Sequence, residues 1–235
     1  MAEIRGIEAV VFDVLGTLVD EPRGLRAAIR EATPASDDAV VDGRVIAWQQ
    51  HVERQQQRIR QGSRPYANSA VLDAEAARHV AERAGIADPA VIARLATASR
   101  RLPPWDDSVD ALGRLARRFR VLGLSNAGRT ALLHLSAHAG LRWHQALSAE
   151  EVRAYKPAPE VYRLAVDAVG CPPERVLMVA AHAWDLRGAQ AVGMRTAHVR
   201  RPVGDPPTGA DTFDWRFREL GELVDMLTDG HEASD

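Results

Sequence analysis

A set of polar residues that could do chemistry comes at the ends of short apolar segments in this sequence. The first is Asp13, which closes the run VVFD, and Thr17 follows four residues later. The full set is Asp13, Thr17, Ser125, Asn126, Lys156, His182 and Asp185. Carboxylate, ammonium and imidazole groups can supply a nucleophile, charge balance and acid–base catalysis. A buried strand that ends on an acid needs donors for that acid, and Lys156 and the N–H groups of the Leu15–Thr17 turn could supply them.

Each of these residues also has a simpler structural explanation. Asp13 before Gly16 could belong to an ordinary turn or cap, and the pair Ser125–Asn126 could be the N-cap of a helix. Lys156 before a proline could be a solvated loop lysine. The histidine and the acid near the end of the set could be a partly buried ring and a second helix cap. The order and spacing of the whole set, more than any one residue, indicate a site.

Four apolar segments predict the strands that would position these residues. They are residues 7–13, 119–126, 175–181 and 195–200. Helix-like segments follow them: residues 159–169 carry apolar side chains at helical spacing, and a helix at about 186–193 is expected to end at Gly193. Strands that alternate with helices predict an α/β fold with a parallel sheet. Ligands of such folds bind beyond the carboxyl ends of the strands, where the polar set would lie.

About a hundred residues between the first two predicted strands contain no convincing strand. Three helical stretches are predicted there, at about residues 37–61, 69–86 and 89–100. The sequence LPPW at 102–105 then marks the return of the chain to the sheet. This long helical interval predicts a helical subdomain inserted after the first strand.

These patterns divide the chain into three parts. We expect an α/β core made of residues 1–19 and 103–230, with a helical cap at residues 20–102 inserted between its two pieces. The polar residues 231–235 are expected to be frayed.

Composition and charge exclude several classes of protein. The chain has 235 residues, of which 46% are hydrophobic, and its formal net charge of −2 gives no sign of a nucleic-acid or anionic-membrane surface. Its apolar runs are too short to span a membrane, and Glu3, Arg5 and Glu8 interrupt any secretory leader. Cys171 is the single cysteine, so no disulfide can form within the chain. We therefore expect a cytoplasmic protein that acts on a small molecule.

Four segments resemble, in sequence and in order, the four motifs of the haloacid dehalogenase superfamily. They are VVFDVLGTLVD, LGLSNAG, YKPAPEVY and MVAAHAWDLRGAQAVG. The inserted helices also match the usual position of this family's cap. The resemblance implies a Rossmann-like core with a helical cap. It further implies that Asp13 is the nucleophile, that Ser125 or Asn126 binds the anionic group of the substrate, and that Lys156 steadies the charge of the nucleophile.

Leu15 separates two branches of this superfamily. Its phosphatases carry a second aspartate two residues after the nucleophile and bind Mg²⁺, whereas Leu15 can transfer no proton. Asp13 and Asp185 alone would also make a poor site for Mg²⁺, which prefers a near-octahedral set of oxygens. The sequence is instead similar to the (S)-2-haloacid dehalogenase (type II) branch, whose members need no metal. A halide leaves without a proton, so the loss of an acid at position 15 costs little.

The resemblance to this branch implies hydrolysis of short 2-haloalkanoic acids to 2-hydroxy acids. Asp13 would attack C2 from the side opposite the halogen and form an ester, with inversion at C2. Water would then attack the Asp13 carboxyl carbon, with Asp185 orienting or deprotonating that water and Lys156 balancing the charge. The substrate carboxylate would lie against Ser125 Oγ and the backbone N–H groups near Leu15 and Asn126, at a helix start where an anion is favoured.

The predicted site has catalytic and substrate-binding members. The catalytic residues are Asp13, Thr17, Lys156 and Asp185. The substrate-binding residues are Val14, Leu15, Trp48, Gln49, Ser125, Asn126, Tyr162, His182 and Trp184. Neither a metal nor another cofactor is expected, and a homodimer is expected of this branch.

Two positions depart from the pattern of this branch. Its members have a cap arginine directly after a tryptophan, which helps receive the halide, whereas here Gln49 follows Trp48. Glutamine donates only uncharged hydrogen bonds, which are weaker than charge-assisted ones. The cap arginines that could substitute are Arg54, Arg58 and Arg64. His182 replaces the usual asparagine and could position water or act as the base near neutral pH.

Two other functions remain open from the sequence. The first is a phosphatase or other phosphate-ester hydrolase of the same superfamily, against which Leu15 argues. The second is a weak or repurposed protein that keeps the fold and binds a ligand without turning it over. Halide release that persists in EDTA would separate dehalogenation from Mg²⁺-dependent phosphate release.

Overall fold

The computed structural model describes residues 6–232, and its centre is a parallel β-sheet. The sheet that the described residues form has six strands in the order β3-β2-β1-β4-β5-β6. These are β1 (Ala9–Asp13), β2 (Arg120–Ser125), β3 (Gln145–Ser148), β4 (Val176–Ala180), β5 (Arg195–Val199) and β6 (Trp215–Phe217). The predicted α/β fold with a parallel sheet is confirmed, and β1, β2, β4 and β5 were predicted to within two residues. The sequence analysis missed β3 and β6, which have only 4 and 3 residues.

Strand β1 lies between β2 and β4, in the middle of the sheet. Its side chains alternate between two hydrophobic clusters: Val10 and Phe12 belong to one, Ala9 and Val11 to the other. Successive side chains of a strand point to opposite faces of its sheet. Since both faces are covered, the strand has no polar side, which explains why it reads as a continuous apolar run up to Asp13.

Helices cover both faces of the sheet. One cluster contains side chains of α5 (Ser108–Leu115), α6 (Arg129–Ala139) and α9 (Leu220–Glu232). The other contains side chains of α7 (Pro159–Val169) and α8 (Ala183–Gln190). The bounds of α7 are those predicted from its apolar spacing.

Two helix ends differ from the predictions. Helix α8 ends at Gln190, before Gly193, and Gly193 instead adopts a φ of +89° in the turn that leads into β5. The expected end of this helix at Gly193 is therefore wrong, because the glycine serves the following turn. Helix α9 continues through Glu232, so the expectation of a frayed segment from 231 is wrong for its first two residues. Residues 233–235 lie outside the described residues.

The interval between β1 and β2 consists of helices. They are α1 (Glu21–Ala32), α2 (Asp38–Arg60), α3 (Ser69–Ala84), α4 (Pro89–Leu95) and a 3₁₀ turn at Ala98–Arg101. Helix α1 was not predicted, and the stretch predicted as one helix at 89–100 is broken in two. These helices share a hydrophobic cluster of their own, in which Leu25, Trp48 and Val80 are almost completely buried. We propose that they form the cap expected at residues 20–102.

The two segments that connect the inserted helices to the sheet lie side by side. Asp20 N donates to Pro103 O at 2.8 Å, and Trp105 N donates to Leu18 O at 3.0 Å. These bonds hold the start of α1 close to the carboxyl end of β1. Within residues 6–232, no helix is long and apolar enough to cross a bilayer.

Candidate active site

Asp13 ends β1 and is held by a hydroxyl and an ammonium group. Thr17 Oγ1 donates to Asp13 Oδ2 at 2.7 Å, and Lys156 Nζ donates to Asp13 Oδ1 at 3.0 Å. Thr17 Oγ1 in turn accepts a hydrogen bond from Ala181 N at 3.0 Å, which fixes the hydroxyl between β1 and the end of β4. A nucleophilic oxygen must point at one carbon atom, and these bonds restrict the carboxylate to one orientation.

Lys156 lies between two carboxylates. Its Nζ donates to Asp185 Oδ2 at 2.8 Å as well as to Asp13, and Tyr162 donates its hydroxyl to Asp185 Oδ1 at 2.6 Å. Lys156 and Asp185 are 1% and 0% exposed, so the cluster is shielded from solvent. Buried charges are tolerated when they are paired and hydrogen-bonded, and here both oxygens of Asp185 have donors.

The cluster shifts the pKa values of its members. Burial lowers the pKa of the Lys156 ammonium, but the charges of Asp13 and Asp185 outweigh it and raise the value above normal. Burial raises the pKa of Asp185, and the positive charge of Lys156 offsets only part of this rise. Burial and the neighbouring Asp185 carboxylate also raise the pKa of Tyr162, so its hydroxyl stays a donor. A carboxylate whose pKa is raised by burial is better able to accept a proton near neutral pH.

The turn after β2 contributes Asn126 but not Ser125. Asn126 Oδ1 accepts a hydrogen bond from Lys156 N at 2.9 Å, which anchors the lysine loop to the sheet. Ser125 is completely buried, and its Oγ accepts from Ala127 N at 3.1 Å inside the turn. Ser125 therefore shapes the turn, and the structure does not bring it to the cavity wall.

Two N–H groups at the start of α6 have protein partners. Gly128 N donates to Ser69 Oγ at 2.7 Å, and Arg129 N donates to Glu150 Oε2 at 2.9 Å. The N–H groups expected to meet the substrate carboxylate are different ones, near Leu15 and Asn126, and both of these residues line the cavity described next. The anion site expected there stays a prediction.

A cavity of about 780 Å³ lies at the carboxyl end of β1, against the helical insertion. The predicted residues that line it are Asp13, Leu15, Trp48, Gln49, Asn126, Lys156, His182 and Trp184. Its wall also includes charged residues that the sequence analysis did not single out, namely Glu21, Glu53, Arg60, Asp73 and Asp205. Helices α1, α2 and α3 supply four of these five. The cavity therefore brings core and inserted helices to one site.

Besides Ser125, two residues predicted to bind substrate do not reach this cavity. Val14 is fully buried in the hydrophobic cluster of the sheet, and its carbonyl accepts from Leu18 N at 2.9 Å. Tyr162 lies behind Asp185 and packs closely on Gly188, where even a Cβ would meet the tyrosine hydroxyl at 2.4 Å. Both residues were predicted to contact the substrate. In the structure, Val14 packs in the hydrophobic cluster of the sheet and Tyr162 donates a hydrogen bond to Asp185.

His182 pairs with Asp205, which lies 23 residues further along the chain. Its Nδ1 lies 3.1 Å from Asp205 Oδ1, and its ring stacks on Trp184 with centroids 5.7 Å apart. Burial lowers the pKa of His182, but the bond to Asp205 and the charges of Asp13, Asp205 and Asp185 prevail and raise it to about 9. A pKa above neutrality keeps the ring protonated, which argues against His182 as the general base.

The imidazolium lies against the turn that follows Asp13. Gly16 has a φ of +80°, and a Cβ on it would be 2.6 Å from His182 Nε2. Glycine is required here both for the positive φ and for the close approach of the ring. The ring thus brings a positive charge to the same end of the sheet as the nucleophile.

Gln49, at the position of the family's halide arginine, bonds to an acid. Its Nε2 donates to Glu21 Oε2 at 3.4 Å. Of the arginines that were considered as substitutes, Arg64 is bound to Glu75 at 2.7 and 2.8 Å, and neither Arg54 nor Arg58 lines the cavity. The arginine that does line it is Arg60, which donates to Lys156 O at 3.4 Å.

A Mg²⁺ site of the phosphatase kind does not fit these residues. The two carboxylates that would hold the ion, Asp13 and Asp185, are bridged by Lys156 Nζ at 3.0 and 2.8 Å. An ammonium at that point repels a cation. Nowhere in residues 6–232 do three or more histidine, cysteine, aspartate or glutamate side chains gather as metal ligands would.

Comparisons with known proteins agree with this architecture. The family model described as haloacid dehalogenase-like hydrolase matches residues 7–193. The chain is 30% identical to an (S)-2-haloacid dehalogenase of Pseudomonas sp. (strain YL), over 94% of each protein. It is 29% identical to an (S)-2-haloacid dehalogenase of Pseudomonas putida, over 95% of this chain and 98% of that one.

Solved structures show the same similarity. One crystal structure of an L-2-haloacid dehalogenase, 30% identical, superposes with a TM-score of 0.86 over 94% of this chain and 100% of the other. The L-2-haloacid dehalogenase of Xanthobacter autotrophicus with chloropropionic acid covalently bound, 27% identical, gives 0.81 over 94% and 98%. Together with a family model that covers strands β1 to β4 and the inserted helices, these matches show that the chain belongs to the haloacid dehalogenase-like hydrolase family.

Proposed function

We propose that this protein is an (S)-2-haloacid dehalogenase, which hydrolyses short 2-haloalkanoic acids to 2-hydroxy acids through an ester on Asp13. The observation that carries the proposal is the setting of Asp13. Its carboxylate is fixed by Thr17 and Lys156 at the wall of a cavity, and Leu15 stands where a proton donor would be needed for phosphate esters.

In the first step Asp13 displaces the halide. An oxygen of the carboxylate forms a bond to C2 while the carbon–halogen bond breaks and its electron pair leaves with the halide, so no proton is transferred. Attack from the opposite side inverts C2. The imidazolium of His182 supplies positive charge for the substrate carboxylate, beside the backbone N–H groups near Leu15 and Asn126. A charge-assisted bond of this kind orients the substrate.

In the second step water cleaves the ester at the carboxyl carbon of Asp13. Lys156 faces the cavity and Asp185 lies behind it, so Lys156 Nζ gives a proton to Asp185 and takes one from the attacking water. When the tetrahedral intermediate collapses, the bond from the carboxyl carbon to the hydroxy-acid oxygen breaks and that oxygen takes the proton back along the same path. The Asp13 carboxyl then loses its remaining proton to solvent and is a carboxylate again. Esterification of Asp13 removes one of the two charges that keep the pKa of Lys156 high, which makes this transfer easier. Tyr162 and Thr17 keep the acceptor and the ester carbonyl in place.

The experiment is halide release from each enantiomer of 2-chloropropanoate in EDTA, combined with single turnover in ¹⁸O-labelled water. We expect halide from the (S) enantiomer and one heavy oxygen in the Asp13 side chain, detected by mass spectrometry of the peptide. Asp13→Asn should abolish both signals, and Asp42→Asn, at an exposed ion pair with Arg26, should change neither.

Two results would contradict the proposal. In the first, ¹⁸O from the water appears only in the product and never in the Asp13 side chain. The second is Mg²⁺-dependent release of phosphate from an aryl phosphate with no release of halide, which would favour the phosphatase alternative. Assembly as a homodimer and a cytoplasmic location stay predictions from the sequence.

A further inference from the structure

Two side chains from later parts of the chain hold the turn that follows Asp13. Arg201, two residues after β5, donates from Nε to Thr17 O at 3.0 Å. Trp105 donates from Nε1 to Gly16 O at 3.1 Å. Both side chains bind main-chain carbonyl groups, and neither lines the cavity. Two consecutive carbonyl groups of this turn are therefore held from outside the cavity.

The guanidinium of Arg201 is itself held firmly. Its Nη1 and Nη2 donate to the two oxygens of Asp107 at 3.0 and 2.7 Å, and the Arg201 side chain is only 7% exposed. Asp107 Oδ2 also accepts from Leu220 N at 3.0 Å, at the start of α9. A planar guanidinium that is bound at both outer nitrogens has one direction left for its Nε–H, and Thr17 O lies in that direction.

The carbonyl group that Arg201 binds belongs to the residue that orients the nucleophile. Thr17 is completely buried, and its Oγ1 donates to Asp13 Oδ2 at 2.7 Å while it accepts from Ala181 N. A shift of the Thr17 main chain would carry its hydroxyl away from Asp13, because a β-branched side chain has little freedom about χ1. Arg201 thus acts on the orientation of the carboxylate without contacting it.

The loop that starts at Arg201 also reaches the cavity side of this turn. Asp205, four residues further along, pairs with His182, whose ring lies against Gly16. Gly204 N donates to Arg201 O at 3.4 Å, which joins the two ends of the loop. One loop therefore supports the turn after β1 from two sides, through a guanidinium outside the cavity and through an imidazole ring on its wall.

We propose that Arg201 is a positioning residue for the nucleophile, which acts through Thr17 and does not contact the substrate. This inference rests on the proposed function, because it concerns the step in which Asp13 attacks C2. Arg201 takes no part in the bonds that form and break. It sets the direction in which the carboxylate oxygen points, and a misplacement of about 1 Å at a reacting atom costs about 100-fold in rate.

The first test replaces Arg201 with lysine. Lysine keeps the positive charge beside Asp107, but one ammonium cannot hold both Asp107 oxygens and Thr17 O in the geometry of the guanidinium. Rapid-quench measurement with saturating (S)-2-chloropropanoate should show that ester formation slows by about 10- to 100-fold. The substrate concentration that gives half of the maximal rate should stay within a few-fold of the wild-type value, because Arg201 does not line the cavity.

Arg187→Lys is the matched control for this substitution. Arg187 binds both oxygens of Asp211 at 2.7 and 2.9 Å, in the same paired arrangement, but it makes no hydrogen bond to the turn after β1. The control should therefore change the rate of ester formation by less than about twofold, which is the scatter expected of independent sites.

The second test asks whether Arg201 acts through the Thr17 hydroxyl. Thr17→Val removes the hydroxyl, keeps the branched shape, and is combined with Arg201→Lys in a double-mutant cycle. In the Thr17→Val background, Arg201→Lys should slow ester formation by no more than about twofold, because the group that it positions is already absent. Urea unfolding is measured on the same four proteins. The loss of stability caused by Arg201→Lys should be similar in both backgrounds, because the pair with Asp107 does not involve that hydroxyl.

The outcomes separate this inference from the proposed function. Rate losses that multiply in the double variant, or a half-saturating concentration that rises as much as the rate falls, would overturn the role of Arg201 and leave the dehalogenase standing. A wild type that releases no halide and takes no ¹⁸O into Asp13 would overturn both. If thermal melting shows that Arg201→Lys is unfolded, Asp107→Asn takes its place. That variant weakens the support of the same guanidinium, and it should slow ester formation only while Thr17 carries its hydroxyl.

Discussion

The ammonium nitrogen of Lys156 lies 3.0 Å from Oδ1 of Asp13, although the two residues are 143 positions apart in the chain. The contact joins the loop before α7 to the end of β1, and it orients the nucleophile with a group that is almost completely buried. Because the same nitrogen also binds Asp185, the three charges sum to −1 in a setting with little access to water. The site is built around a cation that the fold itself supplies.

Replacement of Lys156 with methionine should therefore destabilise the protein as well as inactivate it. The substitution leaves two buried carboxylates without their counter-ion, and breaking a buried pair in this way costs about 3–5 kcal/mol. Urea unfolding of Lys156→Met should show a midpoint well below that of wild type, together with loss of halide release. As a control, Arg26→Met removes an exposed ion pair with Asp42 and should cost less than about 1 kcal/mol. A midpoint for Lys156→Met as high as that of the control would contradict the role given to the cluster.

The sheet and the position of Asp13 at its edge were predictable because their signals are local. A continuous apolar run that ends on Asp13 reflects a strand covered on both faces, and the four motif segments resembled a known family in order. Strands β3 and β6 are too short to give a periodic signal. Helix α1 was missed although Asp20, Glu21 and Pro22 form an ordinary helix start, in which Asp20 Oδ1 accepts from Arg23 N at 3.0 Å.

The remainder of the site depends on contacts between distant parts of the chain. Nothing local to His182 indicates that Asp205 will pair with it and keep it charged. Glu21 and Gln49 come from two helices whose packing the sequence pattern does not specify. Tyr162 was expected in the pocket because the residues around it resemble the family motif. The motif does not specify the direction in which a side chain of α7 points, and in the structure Tyr162 points to Asp185.

Tyr162→Phe should slow the hydrolysis of the ester more than its formation. The tyrosine hydroxyl donates to Asp185 Oδ1 at 2.6 Å, and removing a hydrogen bond to a buried charge costs about 1.5–3 kcal/mol. Since Asp185 is the final proton acceptor only in the second step, a burst of halide should precede a slow steady state. Rapid-quench halide measurement and the mass of the ester on Asp13 would show it.

The control for that variant is Tyr155→Phe. Tyr155 is also buried and donates to Ala67 O at 2.8 Å, but it does not contact Asp185. It should lose a comparable amount of stability without a burst. Uniform slowing of both steps in Tyr162→Phe would contradict the assigned role.

The pair formed by His182 and Asp205 should make stability depend on pH above neutrality. The folded-state pKa of His182 is about 9 and lies above the ordinary value of 6.5, so the charged ring stabilises the folded state. That contribution is fully present below pH 6.5 and is lost as the pH rises through 9. The difference corresponds to about 1–3 kcal/mol, since one pKa unit is worth about 1.4 kcal/mol and Asp205 is partly exposed to solvent.

Urea unfolding of wild type, His182→Asn and Asp205→Asn across this range measures the effect. Wild type should lose stability toward high pH more steeply than either variant. His182→Asn should remove this dependence, and Asp205→Asn should leave only the part that Asp13 and Asp185 contribute. His182→Asn should also raise the KM for the haloacid at neutral pH, because the substrate carboxylate loses a positive partner. Parallel pH curves for all three proteins would refute the pairing.

Gln49→Arg should speed the departure of chloride. Gln49 lines the cavity, and a guanidinium at this position would offer the departing anion a charge-assisted bond, which is stronger than the bond from an amide. Chloride release should rise about tenfold, since about 1.4 kcal/mol is a factor of ten. Gln61→Arg, at an exposed position just after α2, adds the same charge outside the cavity and should not change the rate. No rise in chloride release for Gln49→Arg would contradict the placement of Gln49 beside the departing halide.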